Sequence, residues 1–481
     1  MVNYHLVMSF LSDLEVVAKA LDEACQQSRT GAVRVINQEP MEKIIAELKL
    51  ENYTHQGGLR DGELRGFVDR YLRVATKLHH PAYMAHQVAT PYYSGSLGSL
   101  IDGITNNAMA IYEMGPGAAS IEYFVINWLL EKIGWEKAPG NRAMDCSGKP
   151  CGGGVLTHGG SLANLTAMLA AMRQAAPQAW NDGVPPNLVL LAPAGAHYSI
   201  ARAAGILGIG QKAICHLEVD RQGAIIPERL AATLRRVRDQ GKRVLAVTAN
   251  ACSTAVGIYD PLAEVGALCR EHDLWLHIDG AHGASALLSH KYRRQLTGIE
   301  LADSVTWDAH KMMQSPLLCA ALLVRDHRTL DAAFEQDASY LFHDKERPGI
   351  DFAHRTVECT KAGLGLKFFM VLGALGESGL GAFIDQQYEL AAEAYDYIAQ
   401  QPDFECAVRP QSNIICFRIQ GSDEHQIEIR NTLLTEGQFY ISSTLFNGKR
   451  YLRLALMSPA TNRKTIEALI ARIRALSRRT S

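Results

Sequence analysis

The chain has no excess of either charge: 48 Lys and Arg stand against 50 Asp and Glu, a formal net charge of −2 over 481 residues. So even a balance supplies no general field for nucleic acid or an anionic membrane, and neither is expected as a partner. Its ten cysteines include no C-x-x-C pair, and the closest two, Cys146 and Cys151 in CSGKPC, lack zinc-knuckle spacing. They read as reduced, mostly buried thiols. The N-terminal stretch MVNYHLVMSFLSDLEVV has no basic leader, and Asp13 and Glu15 interrupt its apolar run before it reaches the length of a signal core or membrane span. The expectation is a soluble, cytoplasmic protein. Low-complexity tracts and clear internal repeats are missing too, so the organisation has to be read from the order of elements.

At this length the chain exceeds most single cores, which predicts one large domain with smaller attachments. From about Gly153, short apolar runs alternate with amphipathic helices, the pattern of a largely parallel α/β sheet. GGVLTHGGSLANLTAMLAAM reads strand, glycine turn, helix, and NLVLLAPAGAHYSIARAAGILG repeats it. RLAATLRRVRDQGKRVLAVTAN and PLAEVGALCREHDLWLHIDGAHG read helix then strand, and ADSVTWD supplies another strand. The polar, Gly/Pro-containing HDKERPGIDFAHRT at 343–356 suits a mobile loop or lid. A helical run from Leu366 to Gln400 then leads to two strand-like runs, NIICFRI and YLRLALM, and the amphipathic helix IEALIARIRAL. The predicted domains are a helical, dimer-wrapping segment at 1–85, a large α/β domain at 86–362 and a small α+β domain at 363–481.

In SVTWDAHKMMQSP, Val305, Thr306 and Trp307 favour a buried strand, so Lys311 emerges at a strand end, where doubly wound sheets place their ligands. Three more features fall at such ends: the turn Gly159-Gly160-Ser161, His197, and Asp279 in LHIDGAHG. Each has an ordinary explanation: a capped glycine turn, a core histidine, a strand-terminating aspartate, a solvated lysine. Together they fit one cofactor, pyridoxal phosphate. It needs a lysine amine for a Schiff base, a carboxylate to keep its ring nitrogen protonated, a phosphate cup and a flat group against the ring. Lys311, Asp279, Gly160 with Ser161, and His197 supply these in turn. A metal centre built from His277, Asp279 and His282 is the weaker alternative, since it leaves Lys311 unexplained and explains Asp279 less well.

HPAYMAHQ, NNAMAIYEMGPGAASIE, GGVLTHGGSLANLTA, GAHYSIARAAGILG, LWLHIDGAHGASALLS, ADSVTWDAHKMM and YLRLALMSPAT stand in the order and spacing of one family. The chain resembles the group II pyridoxal-phosphate-dependent amino-acid decarboxylases over nearly its whole length. The resemblance implies a fold type I architecture and a homodimer with active sites at the interface. It implies that Lys311 carries the cofactor, His310 sits near its phosphate, and Asp279 pairs with its ring nitrogen. Ala281 would pack against the ring and His197 would stack on it, Thr254 would touch the cofactor, and Asp308 would order the turn before Lys311.

Tyr112-Glu113-Met114-Gly115-Pro116 and Gln87 resemble the glutamate and cysteine-sulfinate branch, which leans towards a small acidic substrate such as aspartate, glutamate or cysteine sulfinate. Arg453 matches the arginine expected near the substrate carboxylate. His86 and the DGAHG sequence depart from that branch, leaving diaminobutyrate or an aromatic amino acid as alternatives. Phe352 aligns with a loop tyrosine that donates a proton in many relatives. Loss of that hydroxyl would favour reaction with oxygen to give an aldehyde, unless His197 or His354 donates instead. Simple decarboxylation to an amine is the expected reaction, and a cofactor-holding protein without turnover is disfavoured by the complete lysine, aspartate and histidine set.

Overall fold

The β-branched and apolar runs of the central region form strands, buried from end to end where both faces are covered. The computed structural model describes residues 7–140, 150–334 and 349–478, with side chains from residue 10. Seven strands make one sheet: β1 (Gly153–Thr157), β2 (Leu188–Pro193), β3 (Ile214–Leu217), β4 (Arg243–Asn250), β5 (Leu276–Asp279), β6 (Ser304–Asp308) and β7 (Ala320–Val324). Their order is β1-β7-β6-β5-β4-β2-β3. The run β3-β2-β4-β5-β6 is parallel, and β7 lies antiparallel between β6 and β1. This is an α/β, mostly parallel sheet. Helices Gly160–Ala175 and Tyr198–Ile206 follow β1 and β2, and the alanine-rich face of the first (Ala163, Ala167, Ala170, Ala171) is buried in the core with Val155, Leu190 and Leu322. Small side chains there let helix and sheet approach closely.

A second, antiparallel sheet has the order β10-β11-β9-β8, from β8 (Phe404–Cys406), β9 (Ile414–Ile419), β10 (Ser442–Phe446) and β11 (Lys449–Ala455). Its core joins Phe417, Leu452 and Leu454 to Leu469, Ile470 and Ile473 of the helix Arg463–Ser477.

The compact units are not the three sequence-derived domains. One comprises 91–389 with 410–413; the other comprises residues up to 90, 390–409 and 414–481. The N-terminal segment joins the small sheet because its backbone hydrogen-bonds there: Met84 N–H donates to the Tyr440 carbonyl, Tyr440 N–H to Ala82, and Ala455 N–H to Met84. The long helix Leu364–Ala399 breaks its regularity at Gly376 (φ 64°, ψ 176°) and stays with the larger unit through Glu389, so that boundary moves from 362 to 389. Its apolarity would suffice to cross a membrane; here Phe368, Val371, Leu380 and Ile384 are buried inside the protein.

Two further expectations change. Among the described residues eight cysteines are in no disulfide, but Cys151 is disulfide-bonded, so the thiols are not all reduced. The predicted lid begins outside the described residues; from Gly349 it is a packed turn. Phe352 is only 2 % exposed, in the core cluster with Val155, Met168 and Leu322. Arg355 is buried against Asp331 at 2.8 Å, and Asp351 accepts from Tyr112 N–H at 2.8 Å. Polar composition suggested solvent, whereas the charges pair inward.

Lys361, five residues beyond this segment, is fully buried with its ammonium on Glu122, 5.5 Å from the Phe352 ring. The other oxygen of Glu122 accepts from Leu156 N–H of β1 at 2.8 Å. Truncating one member of such a pair strands the other charge, so Lys361→Met is expected to cost about 3–5 kcal/mol in urea unfolding. The double variant Glu122→Gln/Lys361→Met, which removes both charges, is expected to recover most of it; an equally unstable double variant would refute the ion-pair explanation.

Candidate active site

Parallel strands deliver their loops to one edge of the sheet, and five of them converge on a cavity of about 260 Å³. All nine residues anticipated for the cofactor line it: Gly160, Ser161, His197, Thr254, Asp279, Ala281, Asp308, His310 and Lys311. Gly160 and Ser161 open the helix after β1, whose first turn has no side-chain cap. Its leading N–H groups are therefore left for an anion. A Cβ at Gly160 would fall 2.7 Å from Asp308 Oδ1, so only glycine permits this approach.

Lys311 follows β6 by three residues, and its Nζ lies 3.1 Å from Asp308 Oδ2. Asp308 Oδ1 is buried without a hydrogen-bond partner among the described residues. His310 Nε2 stands 3.5 Å from Asp308 Oδ2, and its Nδ1 lies 2.8 Å from the Cys319 carbonyl. Burial lowers the His310 pKa, with Asp308 opposing. Asp279, the last residue of β5, accepts from Asn164 Nδ2 at 2.9 Å and from Ala281 N–H at 3.2 Å. His197 caps the helix Tyr198–Ile206, its ring accepting from Ser199 N–H. Burial lowers its pKa, opposed by Asp279 and reinforced by Lys311.

Other expectations fall elsewhere. Gln87 and Arg453 belong to the smaller unit and meet there: Arg453 Nη2 donates to Gln87 Oε1 at 3.1 Å, and Nη1 to the Ala85 carbonyl at 3.2 Å. Phe352, expected on the substrate side, does not line this cavity and is buried in the core cluster with Val155 and Met168. His354 lines a separate cavity of about 100 Å³ with Asp331, Asp351 and Arg355. His277, weighed as a metal ligand, has both ring nitrogens engaged, by Ser304 Oγ at 2.9 Å and Asn164 Oδ1 at 3.0 Å. His282 Nε2 lies 2.6 Å from Asn413 Oδ1.

Sequence reasoning missed His158, Asn164, Asn250, Cys252 and Leu318 on the cavity wall and weighed His282 there only as a metal ligand. Asn164 carried a signal: asparagine is a poor residue inside a helix, and a buried one there implies bonding partners elsewhere.

The residues present fit pyridoxal phosphate. An uncapped helix start with a glycine cradle suits the phosphate, Asp279 the ring nitrogen, Lys311 the aldehyde carbon, and Asp308 Oδ1 is an acceptor still without a donor. Sheet and site define a fold type I pyridoxal-phosphate enzyme.

Comparison with known proteins narrows that class. The pyridoxal-dependent decarboxylase conserved domain matches residues 68–420, and the chain belongs to that family. It is similar to the acidic amino acid decarboxylase of Mus musculus, 28% identical over 496 residues that cover 97% of this chain and 87% of that protein. An L-aspartate decarboxylase of Metarhizium robertsii is 28% identical over 399 residues, covering 80% of this chain and 77% of that one. Among solved structures, mouse CSAD superposes with a TM-score of 0.88 at 25% identity, covering 98% of this chain and 99% of that one.

Full burial holds the His277 pKa at about 4, against 6.5 for an ordinary histidine. A depressed folded-state pKa contributes stability that is complete above pH 6.5 and is lost as pH falls towards 4, on the order of 3 kcal/mol. Buried Asp260, raised to about 6, acts in the opposite sense, so the difference between wild type and His277→Gln carries the test. Denaturant unfolding at pH 7 and pH 4.5 should show wild type losing more stability than the variant; parallel losses would contradict a neutral buried His277.

Proposed function

We propose that the protein decarboxylates a small acidic L-amino acid to its amine, with Lys311, Asp279 and His197 as the working side chains. The observation that carries the reading is their convergence on one cavity with an uncapped helix start. Two relatives named for acidic amino acid and L-aspartate decarboxylation support the substrate class. The Arg453 fork, held by Gln87, is chemically suited to a carboxylate.

Bound pyridoxal phosphate supplies an electron-poor ring that takes up the electron pair released when the α-carboxylate leaves as carbon dioxide. Gly160, Ser161 and His310 would hold its phosphate, Thr254 and Ala281 would confine it, and Asp279 would keep its ring nitrogen protonated. Asp308 pairs with Lys311 and so positions the amine that joins the cofactor. His197 would stack against the ring. Phe352 is buried in the core and His354 lines a separate cavity, which leaves His197 on the cavity wall as the proton donor that simple decarboxylation needs.

A homodimer is proposed as well. The helix Tyr93–Thr105 turns Tyr93, Leu97, Ile101 and Ile104 outwards along one stripe, all of them exposed. An apolar stripe of this length is the kind of surface a second copy covers.

Lys311→Ala is expected to abolish turnover while far-UV circular dichroism and melting stay close to wild type. An active variant would overturn the assignment. Mass spectrometry after supplying pyridoxal phosphate with pooled acidic, basic and aromatic amino acids should show an acidic substrate losing carbon dioxide, with no peroxide formed. An aldehyde with peroxide would instead mean oxidative chemistry. In light scattering, wild type should run at twice the mass of the chain, and Leu97→Asp/Ile101→Asp should shift towards monomer; a monomeric, fully active wild type would refute the dimer.

A further inference from the structure

Asn164 is 1 % exposed, and its side-chain amide makes every hydrogen bond available to it. Nδ2 donates to Asp279 Oδ2 at 2.9 Å and to Ser199 Oγ at 2.8 Å. Oδ1 accepts from Thr306 Oγ1 at 2.7 Å and lies 3.0 Å from His277 Nε2. Two donors and two acceptors exhaust an amide. Its orientation follows from chemistry: an ionised carboxylate only accepts, so the NH₂ group must face Asp279.

That orientation propagates in two directions. On one side, Asn164 Oδ1 needs a proton from His277, so Nε2 carries it and Nδ1 accepts from the Ser304 hydroxyl, whose oxygen also accepts from Trp275 Nε1 at 2.9 Å. On the other, Ser199 Oγ accepts from Asn164, which leaves its own proton for His197 Nδ1 at 2.8 Å. The Ser199 backbone N–H points at the same nitrogen at 3.3 Å, and a backbone N–H can only donate. Nδ1 of His197 is therefore an acceptor twice over, and a neutral ring holds its proton on Nε2.

We propose that Asn164 is a positioning residue that acts on both sides of the cofactor site: it anchors Asp279 and, through Ser199, locks His197 in the Nε2–H tautomer. His197 then offers the cavity a hydrogen-bond donor for an anionic oxygen. It is not a base for an α-proton, so it does not open the proton-abstraction route that leads away from decarboxylation. The charged groups facing His197 are Asp279, Lys311, Asp308 and Arg202, and their mixed signs leave the tautomer to the hydrogen bonds. The role assigned to this lock rests on the pyridoxal-phosphate reading, but the lock itself is a property of the protein.

The test uses ¹⁵N-histidine-labelled holoenzyme, and the same protein after cofactor removal, with the His197 signals assigned by their loss in His197→Gln. Wild type should show a protonated Nε2 and a bare Nδ1 at pH 7 to 8. Asn164→Asp keeps the shape of the side chain but removes both donors. It should weaken pyridoxal phosphate binding roughly 10- to 100-fold and admit the Nδ1–H form. Ser199→Ala leaves Asn164 in place and removes the 2.8 Å hydroxyl contact, so that only the longer backbone N–H contact at 3.3 Å still holds Nδ1; it should admit a measurable fraction of the Nδ1–H form with little change in cofactor affinity, whether or not Asn164→Asp folds. A wild-type His197 protonated on Nδ1 would overturn the proposal, as would a folded Ser199→Ala with an unchanged tautomer. A wild type that shows no cofactor absorption after loading would sink the pyridoxal-phosphate reading alone, because the tautomer is read independently of it.

Discussion

Burying the Asp279 carboxylate at the tip of β5 is the constraint that organises the larger unit. A buried charge is tolerated only where donors surround it, and these come from Asn164 on the helix after β1 and from the Ala281 backbone. Asn164 can reach Asp279 only if the helix Gly160–Ala175 lies tightly over the sheet, which its alanine face allows. The same asparagine is held by Thr306 of β6 and His277 of β5, neighbouring parallel strands in fixed register. Sheet register, helix packing and the ionised aspartate are thus one interlocked arrangement, and a slip in any of them would leave several buried polar groups without partners.

The chemistry-bearing residues were legible in the sequence because a parallel sheet converts strand endings into a common edge. Once VTWD was read as a buried strand, Lys311 had to emerge beside Asp279 and His197, whatever the packing behind them. Asparagine inside a helix is a local signal that Asn164 needs partners, but which partners they are lies 35, 113, 115 and 142 positions away, where no local pattern encodes them. β7 was overlooked for a different reason. Its AALLV run is uniformly apolar, and such a run is as compatible with a buried helix as with a strand until its antiparallel neighbours are known.

The segment after Gly349 shows where composition misleads. IDFAHRT looks polar on average, yet its aspartate caps a backbone amide, its arginine is buried on Asp331 and its phenylalanine enters the core. Averaging over a window counts charges without asking whether they have partners. The compact units divide the chain differently from the sequence-derived domains for a similar reason, since the groups that bind 82–84 to the small sheet are backbone groups, which carry no sequence signature.

The cavity's charge state follows from the same burial that made its residues hard to pair. His197 and His310 both line it and both have their pKa values lowered, with desolvation the leading cause in each case. Lys311 is the only lysine or arginine on the described wall, facing Asp308 and Asp279. An incoming phosphate therefore gains its attraction from oriented N–H groups at the helix start rather than from a cationic cluster. Attraction of that kind is short-ranged and directional, so it selects for placement of the whole cofactor. A general positive field would instead hold any anion of the right size.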